Sequence, residues 1–193
     1  MKNLKKISLF LLLIPVLSYS QESAIKSQSK AIEFSSRAGS FLQTDEYELT
    51  KVGSAGNKIE FSVYIFNDLK SGEKQGALFL TTSSWTIDSR RVGFIDFDEI
   101  DACIQCLEYI KSDVINNTPD HYSEALYKSR DGVIVGAYYN YFKDVVPQNR
   151  KWLLTVKVPL GETSRVKLPL TEFDALLNAF KEGKALIESK IKQ

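Results

Sequence analysis

Strand-like apolar runs divided by turn residues occupy four stretches of this chain, the apolar spacing then switches to a helical period, and the same order follows a second time. Strand-like runs lie around residues 40–52, 58–67, 76–82 and 91–97. In the second of them Phe61, Val63 and Ile65 alternate with Ser62, Tyr64 and Phe66, the spacing that puts successive side chains on opposite faces of a sheet. Turn-prone residues separate the runs: Gly53 to Asn57, Asp68 to Gly72, and the stretch 83–90. From Asp98 to about Lys111 the apolar residues Ile100, Cys103, Ile104, Leu107 and Ile110 fall on one helical face. Asp98 is the expected N-cap, and Glu99 and Asp101 in the first turn suit the helix dipole.

A loop at 116–120 opens the second round, with strands expected near 123–129, 133–142, 151–159 and 164–170. A second amphipathic helix runs from Thr171, a plausible N-cap, to about Ile191, with Phe173, Leu176, Leu177, Phe180, Ile187 and Ile191 on its apolar face. The halves align at a constant shift of 73 positions: FDEIDA at 97–102 falls on LTEFDA at 170–175, Ile95 on Leu168, Phe79 on Trp152 and Asn67 on Asn140. The first strand of each half fits only with a small insertion. This predicts an α+β fold of two antiparallel four-stranded ββββα repeats packed as one domain, over 40–115 and 116–193, with each helix packing the same way on its own strands. Residues 1–20 read as a leader and 21–39 as a loose N-terminal segment, a short helix being the other reading of 21–33.

Four strands and a helix, twice over, resembles the order in Whirly proteins and in PUR-alpha-type repeats. The junction VKLPLTEF at 166–173 is similar to the strand-to-helix step of the transcriptional coactivators of that superfamily. The resemblance covers most of residues 40–191 but is one of topology, with no specific motif. It implies a single-stranded nucleic-acid binder; fold alone does not carry function, however, and the basic sheet patches of such families are not evident here.

Charge and the leader bear on that implication. Lys2, Lys5 and Lys6 precede the apolar run Ile7–Leu17, and Ser18 and Ser20 place small residues before Gln21. This is the pattern of a secretory signal peptide cut after Ser20, so the protein is expected in the periplasm or the medium. An uncleaved N-terminal anchor is the alternative, although the run is short of the roughly 20 residues that span a bilayer. No cysteine follows the run to suggest a lipoprotein anchor. The leader takes three of the 25 basic side chains and none of the 24 acidic ones, leaving a formal charge of −2 and no overall attraction to nucleic acid or anionic lipid. No second long apolar run follows, so no membrane span is expected.

Candidate chemistry is sparse. The single histidine, His121, sits in a loop beside Asp120, and no nucleophile elbow, zinc-protease motif, P-loop or dinucleotide fingerprint occurs. Asp96, Asp98, Glu99 and Asp101 suggest either paired carboxylates or a dressed helix start, and recurrence of Glu172 and Asp174 in the second half favours the latter. Cys103 and Cys106 form a C-x-x-C, but inside the apolar face and opposite Leu176 and Ala179 of the other half, which reads as core rather than redox or zinc chemistry. No cofactor or metal is called for, and no catalytic residue is assigned. The remaining lead is aromatic: if one sheet face covers the helices, the other shows Tyr64, Phe66, Tyr139 and Tyr141, either packing the halves together or forming a binding surface. The leading expectation is a non-catalytic exported domain that binds a protein or a glycan through a sheet face. A single-strand nucleic-acid binder comes second and an enzyme third; partner and oligomeric state stay open.

Overall fold

The computed structural model describes residues 29–54, 56–84, 87–141, 146, 149–159 and 165–192; the leader expected over 1–20 lies outside them. After a short helix α1 (Lys30–Ser35), strands β1 (Leu42–Ser54), β2 (Asn57–Asp68), β3 (Lys74–Ser84) and β4 (Ile87–Asp96) lead into helix α2 (Phe97–Tyr109). A π-helical turn at Ile110–Val114 extends α2, and β5 (Ser123–Lys128), β6 (Ile134–Tyr139), β7 (Trp152–Lys157) and β8 (Arg165–Leu168) follow. A 3-10 turn at Leu170–Glu172 opens into α3 (Phe173–Ile191). The strands form two antiparallel four-stranded sheets, ordered β1-β2-β3-β4 and β5-β6-β7-β8, so the α+β class and the ββββα order in each half are as the sequence predicts.

The inner faces of both sheets and the apolar stripes of α2 and α3 share one core, which includes Phe61, Leu78, Leu107, Val135, Leu154 and Phe180. Within it the helices depart from expectation. Helix α3 does not pack chiefly on the strands that precede it; it lies across β1, β2 and β3 of the first sheet. Phe180 meets Phe61 edge-on at 5.5 Å, and Lys190 Nζ lies 4.8 Å from the Tyr47 ring. Two glycines permit this approach: a Cβ on Gly183 would come within 2.5 Å of Leu78 Cδ1, and one on Gly76 within 2.4 Å of Ile187 Cγ2. Helix α2 in turn touches β5 and β6 of the second sheet as well as β3 and β4. A stripe of apolar positions specifies that a helix is covered but not by which sheet, so the exchange was not visible in the pattern.

The helix starts also shift. The N-cap of α2 is Asp96, not Asp98; Glu99, three residues on, accepts the Asp96 N–H at 3.3 Å, the reciprocal half of a capping box. In the second half Thr171 lies inside the 3-10 turn, and Glu172 precedes the first residue of α3.

Candidate functional site

Each sheet turns one face to the core and one away, and the pairing registers state what each outer face carries. Across the first sheet the outward rungs are Glu46–Tyr64–Ala77–Asp96, then Glu48–Ser62–Phe79–Phe94, then Lys51–Glu60–Thr81–Val92. These rungs enclose a cleft of about 290 Å³ whose walls include Glu46, Glu48, Glu60, Tyr64, Phe79 and Thr81. Tyr64 and Phe79 have ring centroids 4.7 Å apart, and Phe94 lies 5.0 Å from Phe79 and 6.0 Å edge-on from Tyr64. Glu60 is neutralised within the cleft by Lys58 at 2.8 Å and Lys51 at 3.2 Å, and the Lys58 hydrogen bond holds its carboxyl below the usual range. Among the described residues neither Glu46 nor Glu48 has a salt-bridge partner. Tyr64 donates its hydroxyl to Glu46; its partial burial, reinforced by that carboxylate, pushes the phenol up to about 12, so it stays a donor at any physiological pH.

Of the two aromatics expected on this face, Tyr64 lines the cleft and Phe66 is not open on it. Helix α1 lies over that end of the sheet, and Ala31 and Phe34 bury Phe66 and Ala77 with Leu42, Tyr64 and Phe94 packed around them. The helix is anchored at the sheet-to-helix junction. Asp96, fully buried, accepts from Ser29 Oγ at 2.9 Å, from the Lys30 amide at 2.7 Å, from the Ala31 amide at 2.9 Å, and from Arg130 Nη2 at 3.0 Å. Arg130 also binds Asp98 and receives Glu99 at 3.5 Å, while the Arg130 amide donates to Glu99 Oε1 at 2.8 Å. The Arg130 hydrogen bond lowers the Asp98 carboxyl to about 2. The acidic group of the sequence is thus a structural latch joining α1, α2 and the β5–β6 turn. Asp101 stands apart from it, paired with Lys184 of α3 at 2.6 Å.

On the second sheet the two predicted aromatics sit on the other face. Tyr139 is 5% exposed and packs into the core, edge-on to Trp152 at 5.6 Å; Tyr141 stacks on Tyr139 at 6.4 Å beneath the Arg150 guanidinium at 4.0 Å. The outer positions of β6 are Ile134, Gly136 and Tyr138. Adjacent tyrosines at 138 and 139 make the alternation read equally well in either phase. The core settles it, taking Val135, Ala137 and Tyr139 and leaving Ile134 and Tyr138 outside. The outward rungs of this sheet are Glu124–Tyr138–Leu153, then Leu126–Gly136–Thr155–Lys167, then Lys128–Ile134–Lys157–Arg165. Tyr138 is only 2% exposed, with Arg165 and Lys167 above its ring at 5.8 and 5.6 Å and Tyr122 beside it at 6.3 Å. Arg165 is held by Glu124 at 3.0 Å.

The remaining candidates hold no convergent chemistry. Cys103 is fully buried, and burial pushes its thiol far up; Cys106 is half-buried and shifted the same way, and both are free. His121 is exposed against Asp120 at 2.7 Å. Among the described residues no group of three or more His, Cys, Asp or Glu side chains is placed to hold a metal ion, and no helix is long and apolar enough to cross a membrane. Glu46, Glu48, Phe79, Ser29 and Arg130 were missed by the sequence reading. The first two were legible, because they alternate with the core residues Tyr47 and Leu49 along β1. Comparison with protein-family models, with curated proteins and with solved structures finds no match for this chain.

Proposed function

We propose that this chain is an exported, non-catalytic binding domain that docks a protein surface on the outer face of its first sheet. The carrying observation is the cleft beside Tyr64 and Phe79, where the carboxylates of Glu46 and Glu48 stand without cationic partners among the described residues. An aromatic wall next to unpaired carboxylates favours a lysine or arginine side chain, which gains both ring and charge contacts while its stem lies on apolar surface. Export rests on the basic, apolar and small-residue order of the first twenty positions.

The test is a titration of the isotope-labelled protein, followed by amide shifts, with an acetylated Lys-Tyr-Lys peptide and separately with a hexamer of N-acetylglucosamine. The peptide is expected to move Ser62, Tyr64, Phe79 and Thr81, and to stop doing so in Glu46→Gln/Glu48→Gln. Shifts from the sugar alone select a glycan. No shift from either probe in this cleft removes the reading.

A second reading, the single-strand binder implied by the Whirly-like strand order, draws support from Lys128, Lys157, Arg165 and Lys167 on the outer face of the second sheet. Against it, Tyr138 of that face is sealed beneath two cations, and the exposed Tyr122 beside it donates its hydroxyl to the carboxylate of Glu124, a group that repels phosphate.

A further inference from the structure

The two outer faces carry opposite charge on one chain. On the first sheet Lys51 and Lys58 both pair with Glu60, while Glu46 and Glu48 have no salt-bridge partner among the described residues, so these five groups carry one net negative charge. On the second, four cations face Glu124 alone among the described residues. Both inner faces line the same core, so the outer faces point away from each other and cannot meet within one molecule. Their spacing matches. Glu46 and Glu48 lie two residues apart on β1, an edge strand of its sheet, and Arg165 and Lys167 lie two residues apart on β8, an edge strand of the other, so each pair is separated by about 7 Å on one side of its strand. Lys167 is exposed, and the fork of Arg165 can serve a second carboxylate while it holds Glu124.

We infer that the partner of the first sheet's outer face is a second copy of this chain, presenting Arg165 and Lys167 of its second sheet to Glu46 and Glu48. This rests on the reading of that face as a docking surface. The contact joins two different faces, so it is head-to-tail, and every pair keeps one free acidic and one free basic face; association is open-ended rather than stopping at a dimer. Because Glu46, Glu48 and Lys167 are exposed, it is salt-sensitive, weakening as the screening length falls below the roughly 10 Å found at 0.1 M salt.

Sedimentation velocity of the secreted protein over a hundredfold concentration range decides it. The average mass is expected to rise past two copies with concentration at low salt and to return toward one copy in roughly 0.5 M salt. Glu46→Gln/Glu48→Gln and Arg165→Gln/Lys167→Gln should each be monomeric alone, yet form a complex that stops at two copies when mixed, since only one intact face of each kind remains. Lys167→Gln alone, at an exposed position, gives the same direction of loss if the double variant melts early. A wild-type protein monomeric at every concentration in low salt, or an association unchanged by these variants, overturns the inference. If the protein stays monomeric while the Lys-Tyr-Lys peptide still moves Tyr64 and Phe79, the docking face survives and only its partner is wrong; if neither occurs, both readings fall.

Discussion

The two sheets share strand order and inner texture, and they differ where they face outward. Strands β1 to β4 run 10 to 13 residues, β5 to β8 only 4 to 6. The longer sheet has surface to spare beyond the shared core, part of which α1 covers and part of which forms the cleft. The shorter one closes its outer aromatic, Tyr138, with its own cations. Inner positions of both sheets answer to a common core and so resemble one another; outer positions share no such constraint, being covered by α1 at one end of the first sheet and open elsewhere on it. A repeated strand order of this kind separates what folding demands from what binding can use.

The largest expected effect tests whether the first sheet is buried on both sides where α1 lies. Phe66→Ala removes a ring that is 6% exposed beneath α1 and should cost about 3–5 kcal/mol. Leu126→Ala, at an outer but only half-buried position of the second sheet, should cost about 1 kcal/mol. Urea unfolding of both variants gives the comparison, and equal losses would erase the asymmetry.

Next comes the latch. Asp96→Ala removes the carboxylate that accepts from Ser29 Oγ and from the Lys30 and Ala31 amides, and one of the two carboxylates bound by Arg130 Nη2, an expected loss of about 2–3 kcal/mol. Hydrogen exchange should accelerate at Lys30 and Ala31 and stay unchanged in β6 and β7. Acceleration spread over both sheets would show that Asp96 supports the whole fold and not the docking of α1.

Much of the fold was legible because period-two and period-3.6 patterns follow directly from backbone geometry, and eight strands and two long helices appear where those patterns lie. The candidate site was legible by halves. Tyr64 followed from alternation with Phe61, Val63 and Ile65, whose burial admits one phase only. Tyr139 did not, since tyrosine at both 138 and 139 leaves the phase to be decided by which side of the strand meets the core, the side of Val135 and Ala137. The latch was hidden for another reason: Ser29, Asp96 and Arg130 are far apart in sequence, and local pattern holds no information on which loop meets which helix start.

A smaller effect sharpens the role of that latch through pH. Asp98 titrates at about 2 in the fold against 3.8 when unperturbed, chiefly through its hydrogen bond from Arg130. A depressed carboxyl contributes stability above its unfolded pKa and loses it as pH falls through the folded value, so the contribution is intact at pH 5 and above and fades between about 4 and 2. Asp98 is 44% exposed, so screening limits the contribution to about 1 kcal/mol or less. Asp98→Asn should flatten the acid limb of the stability curve over that window and leave the neutral region almost unchanged. A decline of the same steepness in the variant would assign the acid sensitivity to other carboxylates.

The smallest expected signal concerns single-stranded DNA, and it is where the two faces are most sharply opposed. Affinity for a single strand needs cations to neutralise phosphates and open rings to stack bases, both on one surface. Here the requirements are divided: the open cleft has aromatic walls but carries Glu46 and Glu48, and on the basic face Tyr138 is sealed while the exposed Tyr122 carries Glu124 on its hydroxyl. Phosphate contacts from Lys128, Lys157, Arg165 and Lys167 would bring binding without sequence preference and with strong salt dependence. Dissociation constants for labelled oligonucleotides should therefore lie above roughly 10⁻⁶ M near physiological salt, and Tyr138→Phe should leave them unchanged. Fluorescence anisotropy measures both quantities. Submicromolar binding that weakens in Tyr138→Ala at unchanged melting temperature would mean that Arg165 and Lys167 swing off the ring to admit a base, and the second sheet would then be the functional face.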